Sequence, residues 1–184
     1  MRPDLSYNLT CVRMALQHSL TLFSPEQWEL YRHLRLAALL DSPDAFGSTH
    51  ALEAERPAQV WQSRLAAAAT SGLDLPLLAR VGELPAGLCW AKRDSANLSV
   101  VNLYQVWVAP EFRGTGIGSA LLERCVAWSR SIGAAELRLG VTLADSPAYR
   151  LYIRHGFLPA GAPQPLRDGV DLLAQNMSLC VASG

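Results

Sequence analysis

Ile117, Leu121, Cys125, Trp128 and Ile132 recur at every third or fourth position, a period that lays one apolar stripe along a helix. Just upstream, residues 103–108 (LYQVWV) read as a buried strand, and Pro110, which has no amide hydrogen to donate, ends its ladder. Between strand and helix stands Arg113-Gly114-Thr115-Gly116-Ile117-Gly118. Elsewhere, residues 14–23 alternate apolar and polar as a first strand. Ser24-Pro25-Glu26-Gln27 predicts a helix start: Ser24 can cap Gln27, Gln27 can reach back, Pro25 suits the first position, and Phe23 can staple onto Trp28. Leu30, Tyr31, Leu34 and Ala37 carry one face of that helix toward Leu40, where Ser42-Pro43 stops it. Residues 41–50 form a turn-rich loop. A second helix begins near Pro57 and places Val60, Trp61, Leu65 and Ala68 at helical spacing before Gly72, with Trp61 turned to the core. Residues 76–81, 86–92 and 98–108 predict an antiparallel meander with short loops. Residues 136–141, reached through the long helix, can lie parallel to the preceding strand. A last strand, roughly residues 172–181, returns near the sheet edge after the Pro-rich and Gly-rich stretch 159–169.

Half of the 184 residues are hydrophobic, enough for the core of one domain spanning residues 1–184, with residues 1–13 as a loose leader. The 16 basic and 16 acidic side chains cancel, which argues against attachment to nucleic acid or an anionic membrane by bulk charge. No apolar run approaches the ~20 residues needed to cross a bilayer and no signal-peptide core is evident, so the expected location is the cytoplasm. Cys11, Cys89, Cys125 and Cys180 form no C-x-x-C pair and read as small core hydrophobes in a reducing compartment. His18, His33, His50 and His155 lack metal-ligand spacing, so no metal is assigned.

The chemistry concentrates in the glycine loop. A glycine-rich turn that opens a helix leaves several backbone N–H groups without intrahelical partners and lets an anion approach them, so a phosphate or diphosphate is expected on the first turn with Arg113 at its mouth. A P-loop needs Lys and Ser or Thr after its last glycine, whereas Gly118 is followed by Ser119-Ala120. A dinucleotide fingerprint needs G-x-G-x-x-G, and Ser119 stands where its third glycine belongs. Arg113, Gly116 and Gly118 do match R-x-x-G-x-G.

That match, together with Val106-Trp107-Val108-Ala109-Pro110-Glu111-Phe112 before it and Leu151-Tyr152-Ile153-Arg154-His155-Gly156-Phe157 after it, resembles the GNAT superfamily of acyl-CoA-dependent N-acetyltransferases. Leu34-Arg35-Leu36 and the stretch from Asp41 through Phe46-Gly47-Ser48 are also similar to a segment of bacterial members. The resemblance implies an α+β fold, layered α/β/α, with a mixed and mostly antiparallel sheet of six or seven strands, about four helices and a central parallel pair that splays apart. It implies acetyl-CoA as co-substrate and an unidentified amine acceptor as partner, a small molecule or a peptide or protein amine, with a homodimer left open. Val106, Trp107 and Val108 would meet the pantetheine arm, and Arg113, Gly114, Thr115, Gly116, Ile117, Gly118 and Ser119 would hold the pyrophosphate. Asp145 stands where relatives carry a cofactor-contacting asparagine. Tyr152 would be the catalytic acid that protonates the departing thiolate. Asn102 stands about where some relatives have a glutamate, and Glu53, Glu55 and Tyr104 are candidates for discharging the amine. The loop between the first two helices, residues 41–50, looks like one wall of the amine site. Without a G-x-S-x-G elbow or a cysteine–histidine signature, direct transfer in a ternary complex is expected, the thioester carbonyl polarised by the Val108 amide. The alternatives are a non-catalytic CoA-binding module and a dinucleotide-binding oxidoreductase.

Overall fold

In the computed structural model, residues 17–143 and 146–182 are described. The chain opens with β1 (His18–Leu22), a 3-10 turn at Pro25–Gln27, and α1 (Trp28–Asp41). Ser24 N–H donates to Gln27 Oε1 at 3.0 Å, the reach-back expected of a capping box. A second 3-10 turn, Pro43–Ala45, leads to the short α2 (His50–Ala54), whose first turn is closed by Leu52 N–H donating to Thr49 Oγ1. Then come α3 (Ala58–Ser71), ended by left-handed Gly72, and the meander β2 (Asp74–Val81), β3 (Leu84–Arg93) and β4 (Val100–Val108). The 3-10 turn Pro110–Phe112 and the glycine loop feed α4 (Ile117–Ser131), followed by β5 (Glu136–Thr142) and α5 (Pro147–Arg154). Two-residue strands β6 (Leu158–Pro159) and β7 (Gln164–Pro165) precede β8 (Leu173–Cys180).

The sheet runs β1-β2-β3-β4-β5-β8-β6, with β7 also on β8, and among the described residues only β4 and β5 pair in parallel. It has eight strands rather than six or seven because the stretch read as loop 159–169 bends back twice against β8. Among the described residues five α-helices stand where about four were expected, since the 41–50 loop runs directly into α2. The expected first strand is confirmed from His18 onward; its residues 14–16, the 1–13 leader, Cys11 and Asp145 lie outside the described residues. Cys180 is exposed rather than core, because Met177 and Val181 occupy the inward positions of that segment. Within residues 103–108 only Leu103 and Trp107 are buried.

Two apolar layers sandwich the sheet. On one face α4 sets Ile117, Leu121, Leu122 and Cys125 against Leu75, Leu77, Cys89, Val101, Leu103 and Leu139. On the other, α1 and α3 bring Tyr31, Leu34, Trp61 and Leu65 onto Leu78, Leu88, Trp90 and Trp107. Strand residues alternate between faces, so Val101 and Leu103 on the α4 side call for an odd-numbered Trp107 on that side too. Trp107 instead lies on the α1–α3 side, and Val106 and Val108 pack toward α4. One residue has been inserted. The β3–β4 register shifts between Leu88 and Trp90, where Leu88 faces Trp107 and Trp90 faces Tyr104, and Gln105 takes φ 59°. A bulge with a left-handed non-glycine residue costs about 1–2 kcal/mol and needs support from its surroundings. Tyr31 supplies it by donating its hydroxyl to Gln105 Oε1 at 2.9 Å.

Across from the bulge, β3 must come very close to β4. A Cβ at Gly87 would stand 2.6 Å from the Trp107 carbonyl oxygen and 3.3 Å from Val108 Cα. Both are backbone atoms and cannot swing aside. Gly87→Ala is therefore expected to lower the unfolding free energy by about 1–3 kcal/mol. Gly140→Ala on β5, whose Cβ would make only an ordinary 3.7 Å contact with Asn176, serves as the near-neutral control in urea titration.

Candidate active site

The site is built where β4 leaves β5. The two strands pair only at Val100, Asn102 and the residue between, opposite residues 136–138, although β4 continues to Val108 and β5 to Thr142. Beyond that point the backbone of β4 on this side has no strand partner among the described residues. Ala109 N–H donates to Ala86 O at 2.9 Å, so alternation turns the Val108 N–H away from β3 and toward the diverging side. Val106 and Val108 lie on the diverging stretch with their side chains toward α4, whereas the Trp107 side chain is buried on the opposite face.

The diverging strands lead to the glycine loop. Gly114 and Gly116 have φ of 75° and 93°, conformations that a β-branched residue would strain, and Gly116 is the N-cap of α4. Thr115 Oγ1 donates to Phe112 O at 2.6 Å and closes the turn, while buried Ile117 anchors the helix start. A side chain at Gly118 would press on Leu151 Cδ2 at 3.1 Å. The first-turn amides through Ser119 have no carbonyl one turn back to bond, and the helix dipole favours an anion there. These residues fit a diphosphate.

Arg113 does not stand free at the loop's mouth. Its Nε donates to Val108 O at 3.0 Å and its Nη2 pairs with Asp41 Oδ2. Asp41 also accepts from Trp107 Nε1 at 2.8 Å and from Ser42 Oγ at 2.7 Å. Burial would raise the Asp41 carboxyl, but the Trp107, Ser42 and Arg113 bonds outweigh it and hold the group below its ordinary value. One carboxylate therefore ties the end of α1 to β4 and to the glycine loop. Sequence reading placed Asp41 at the start of the 41–50 loop and gave it no tie to β4 or the glycine loop. The available signal was its sign, since an acidic residue at a helix C-terminus opposes the dipole and calls for a cation elsewhere.

Tyr152, on α5, is buried and packs edge-on against Phe157 at 5.8 Å between ring centres. Its hydroxyl makes no hydrogen bond to the described residues. Burial pushes its pKa up, and the nearby thiols of Cys89 and Cys125, themselves 3.5 Å apart, push it further. It stays protonated through the neutral range and can donate.

The candidates for discharging an amine fare differently. Glu53 is buried, with Arg35 Nε and Nη2 on its two oxygens at 3.2 and 2.8 Å. Burial would raise it, yet Arg35, Ser48 and Arg56 hold it below its ordinary value, which makes it a weak base. Glu55 is exposed and does not line the cavity described next. Tyr104 is half exposed, its pKa raised by burial and then by Asp94. Asn102 donates to Asp94 Oδ2 at 3.4 Å, within the strand segment that still pairs with β5. Glu53 and Tyr104 share a cavity of about 540 Å³ on the α1–α3 side of β4, whose wall includes Phe46, Gly47, Ser48 and Gln105. Among the described residues no cluster could hold a metal ion, and no helix is long and apolar enough to cross a membrane.

The sheet thus opens between two parallel strands onto a glycine-capped helix. The model of the acetyltransferase (GNAT) family matches residues 28–157, and the chain belongs to that family. It is 36% identical over 89 residues to streptothricin acetyltransferase of Streptomyces lavendulae, covering 43% of this chain and 47% of that one. The matched stretches span less than half the length of the curated relatives. In three dimensions it resembles a GNAT-family acetyltransferase of Streptococcus pneumoniae, with a TM-score of 0.75 at 21% identity, covering 89% of this chain and 99% of that one. It also resembles yncA of Salmonella typhimurium, solved with its cofactor acetyl-CoA, with a TM-score of 0.76 at 17% identity, covering 91% and 95%. Likeness at such identities establishes the fold.

Removing the Asp41 carboxylate orphans the buried Trp107 indole, so Asp41→Ala is expected to cost about 1–3 kcal/mol, read as a lower urea midpoint with unchanged slope. Because the folded-state pKa is depressed, this carboxylate's stabilisation is complete above about pH 4 and is lost as pH falls below it. Asp41→Asn is accordingly expected to lose less melting temperature than the parent between neutral pH and about pH 3.

Proposed function

We propose that the protein transfers an acetyl group from acetyl-CoA to a primary amine by direct attack in a ternary complex. The observation that carries this reading is the β4–β5 divergence opening onto the glycine loop at the start of α4. Acetyl-CoA supplies the thioester, an acyl group already activated for an amine. The first-turn amides from Gly116 to Ser119 would bind its pyrophosphate, and the β4 edge at Val106 and the Val108 N–H would take the pantetheine amides as a neighbouring strand does. The Val108 N–H would polarise the thioester carbonyl, and holding amine and thioester together would supply much of the acceleration. As the C–S bond breaks, charge builds on sulfur, and Tyr152, protonated and without a hydrogen-bond partner among the described residues, would donate to it. A cytoplasmic location and a single catalytic unit fit this reading.

Acetyl-CoA is expected to raise the melting temperature by mass action and NADH is not; the reverse pattern would favour an oxidoreductase. Gly116→Val should abolish that shift, since a β-branched residue is strained at φ 93° and crowds the phosphate path, while Arg113→Ala should weaken it less. Tyr152→Phe keeps the ring and loses the proton. Its kcat should fall by about 10²- to 10⁴-fold with acetyl-CoA affinity little changed. An unchanged kcat under chemistry-limited conditions would leave Tyr152 as core packing, and an acetyl-enzyme trapped without amine would overturn direct transfer.

A further inference from the structure

Resting on the acetyl-transfer reading, we infer that the acceptor is a small amine that also carries a carboxylate, seated in the cavity beside the β4 bulge against Arg35 and Arg64. The cavity wall holds four cationic side chains, Arg35, Arg56, Arg64 and Lys92, against two carboxylates, Glu53 and Asp74. Both carboxylates are already committed. Glu53 binds Arg35 through two bonds and Arg56 at 3.5 Å. Asp74 takes Lys92 at 3.4 Å, the Trp90 indole N–H at 2.8 Å and Ser71 Oγ at 2.9 Å. The wall is left with two positive charges in surplus.

Arg64 carries part of that surplus, and Arg35, although paired with Glu53, keeps one buried donor without a partner. Arg35 is 3% exposed, and its Nη1 has no hydrogen-bond partner although Nε and Nη2 are occupied by Glu53. A buried guanidinium N–H left unpaired costs more than about 1–3 kcal/mol, a cost that a bound anion would remove. The indole N–H of Trp61 is likewise unpartnered, but Trp61 does not line the cavity. Arg64 faces no carboxylate among the described residues; its guanidinium lies over the Trp90 ring at 4.6 Å and near the Tyr31 ring at 5.9 Å. Phe46 supports Arg35 in the same way at 4.6 Å. The Arg64 guanidinium, over the Trp90 ring, has N–H groups to offer a planar carboxylate.

The cavity also reaches Tyr104 and Gln105 on β4, next to Val106 and Val108, so an amine anchored by its carboxylate is held beside the strand edge that would carry the thioester. The cationic wall has a second effect on such a substrate. Like charge disfavours the ammonium form, so an amine bound there gives up its proton to solvent water more readily before it attacks.

The test is acetyl-CoA-dependent thiol release with amino acids, their carboxamides and the polyamine spermidine as acceptors. The expected result is a kcat/KM at least tenfold higher for the acids than for matched amides, with spermidine slower than either. Arg64→Gln, which leaves the buried Arg35–Glu53 pair intact, should reduce the acid-to-amide ratio at least tenfold. The ratio compares two substrates on one protein, so partial loss of fold does not mimic the effect. Equal turnover of acids and amides, a preference for spermidine, or a ratio unmoved in Arg64→Gln would overturn the inference. If no amine is turned over, acetyl transfer fails instead. Binding of N-acetyl amino acids, followed as a melting shift weakened in Arg64→Gln, then still decides whether the cavity takes a carboxylate.

Discussion

A parallel strand pair that stops after three residues is the constraint on which the rest of this molecule depends. Backbone amides and carbonyls in a sheet interior are costly to leave unpaired, so a central strand does not part from its neighbour without a reason. Here the parting is enforced from the other side of the sheet. The bulge at Gln105 reverses which way β4 presents its side chains, the Tyr31 hydroxyl holds it, and Gly87 lets β3 approach closely enough to keep pairing past it. The reversal sends Trp107 toward α1, where Asp41 fixes its indole. The second half of β4 is thereby held in place without β5.

The same carboxylate couples that strand to the glycine loop through Arg113. Family-typical loop residues thus share their support with α1, a helix that also carries Arg35 to the cavity wall. The α4 layer and the α1–α3 layer meet the two faces of one strand. In the proposed reaction, the thioester is presented along the strand's free edge and the amine comes from the cavity beside it.

Much of this was legible because it is periodic or local. The stripe from Ile117 to Cys125 and the glycines at 114, 116 and 118 announce a helix with an open first turn, and the capping residues at Ser24 and Gln27 mark α1. The bulge was not legible: LYQVWV is consistent with an unbroken strand, and the residue that holds Gln105 lies 74 positions away. Asp41 and Arg113, 72 positions apart, are invisible to any local window, which is why the tie of Arg113 to α1 was not legible. Glu53 looked like a base because sequence shows a carboxylate and not the guanidinium that neutralises it. Cys180 was read inward because one position decides which face of a strand a residue meets.

The central claim, that the unpaired edge of β4 and the first turn of α4 together receive acetyl-CoA, is tested most directly by hydrogen exchange at single-amide resolution with and without acetyl-CoA. Slowed exchange is expected at Val106, Val108 and the amides from Gly114 to Ser119, with β1 and the β1-facing edge of β2 unchanged. Saturating acetyl-CoA that leaves the β4 amides unprotected, or protects a different surface, would contradict it.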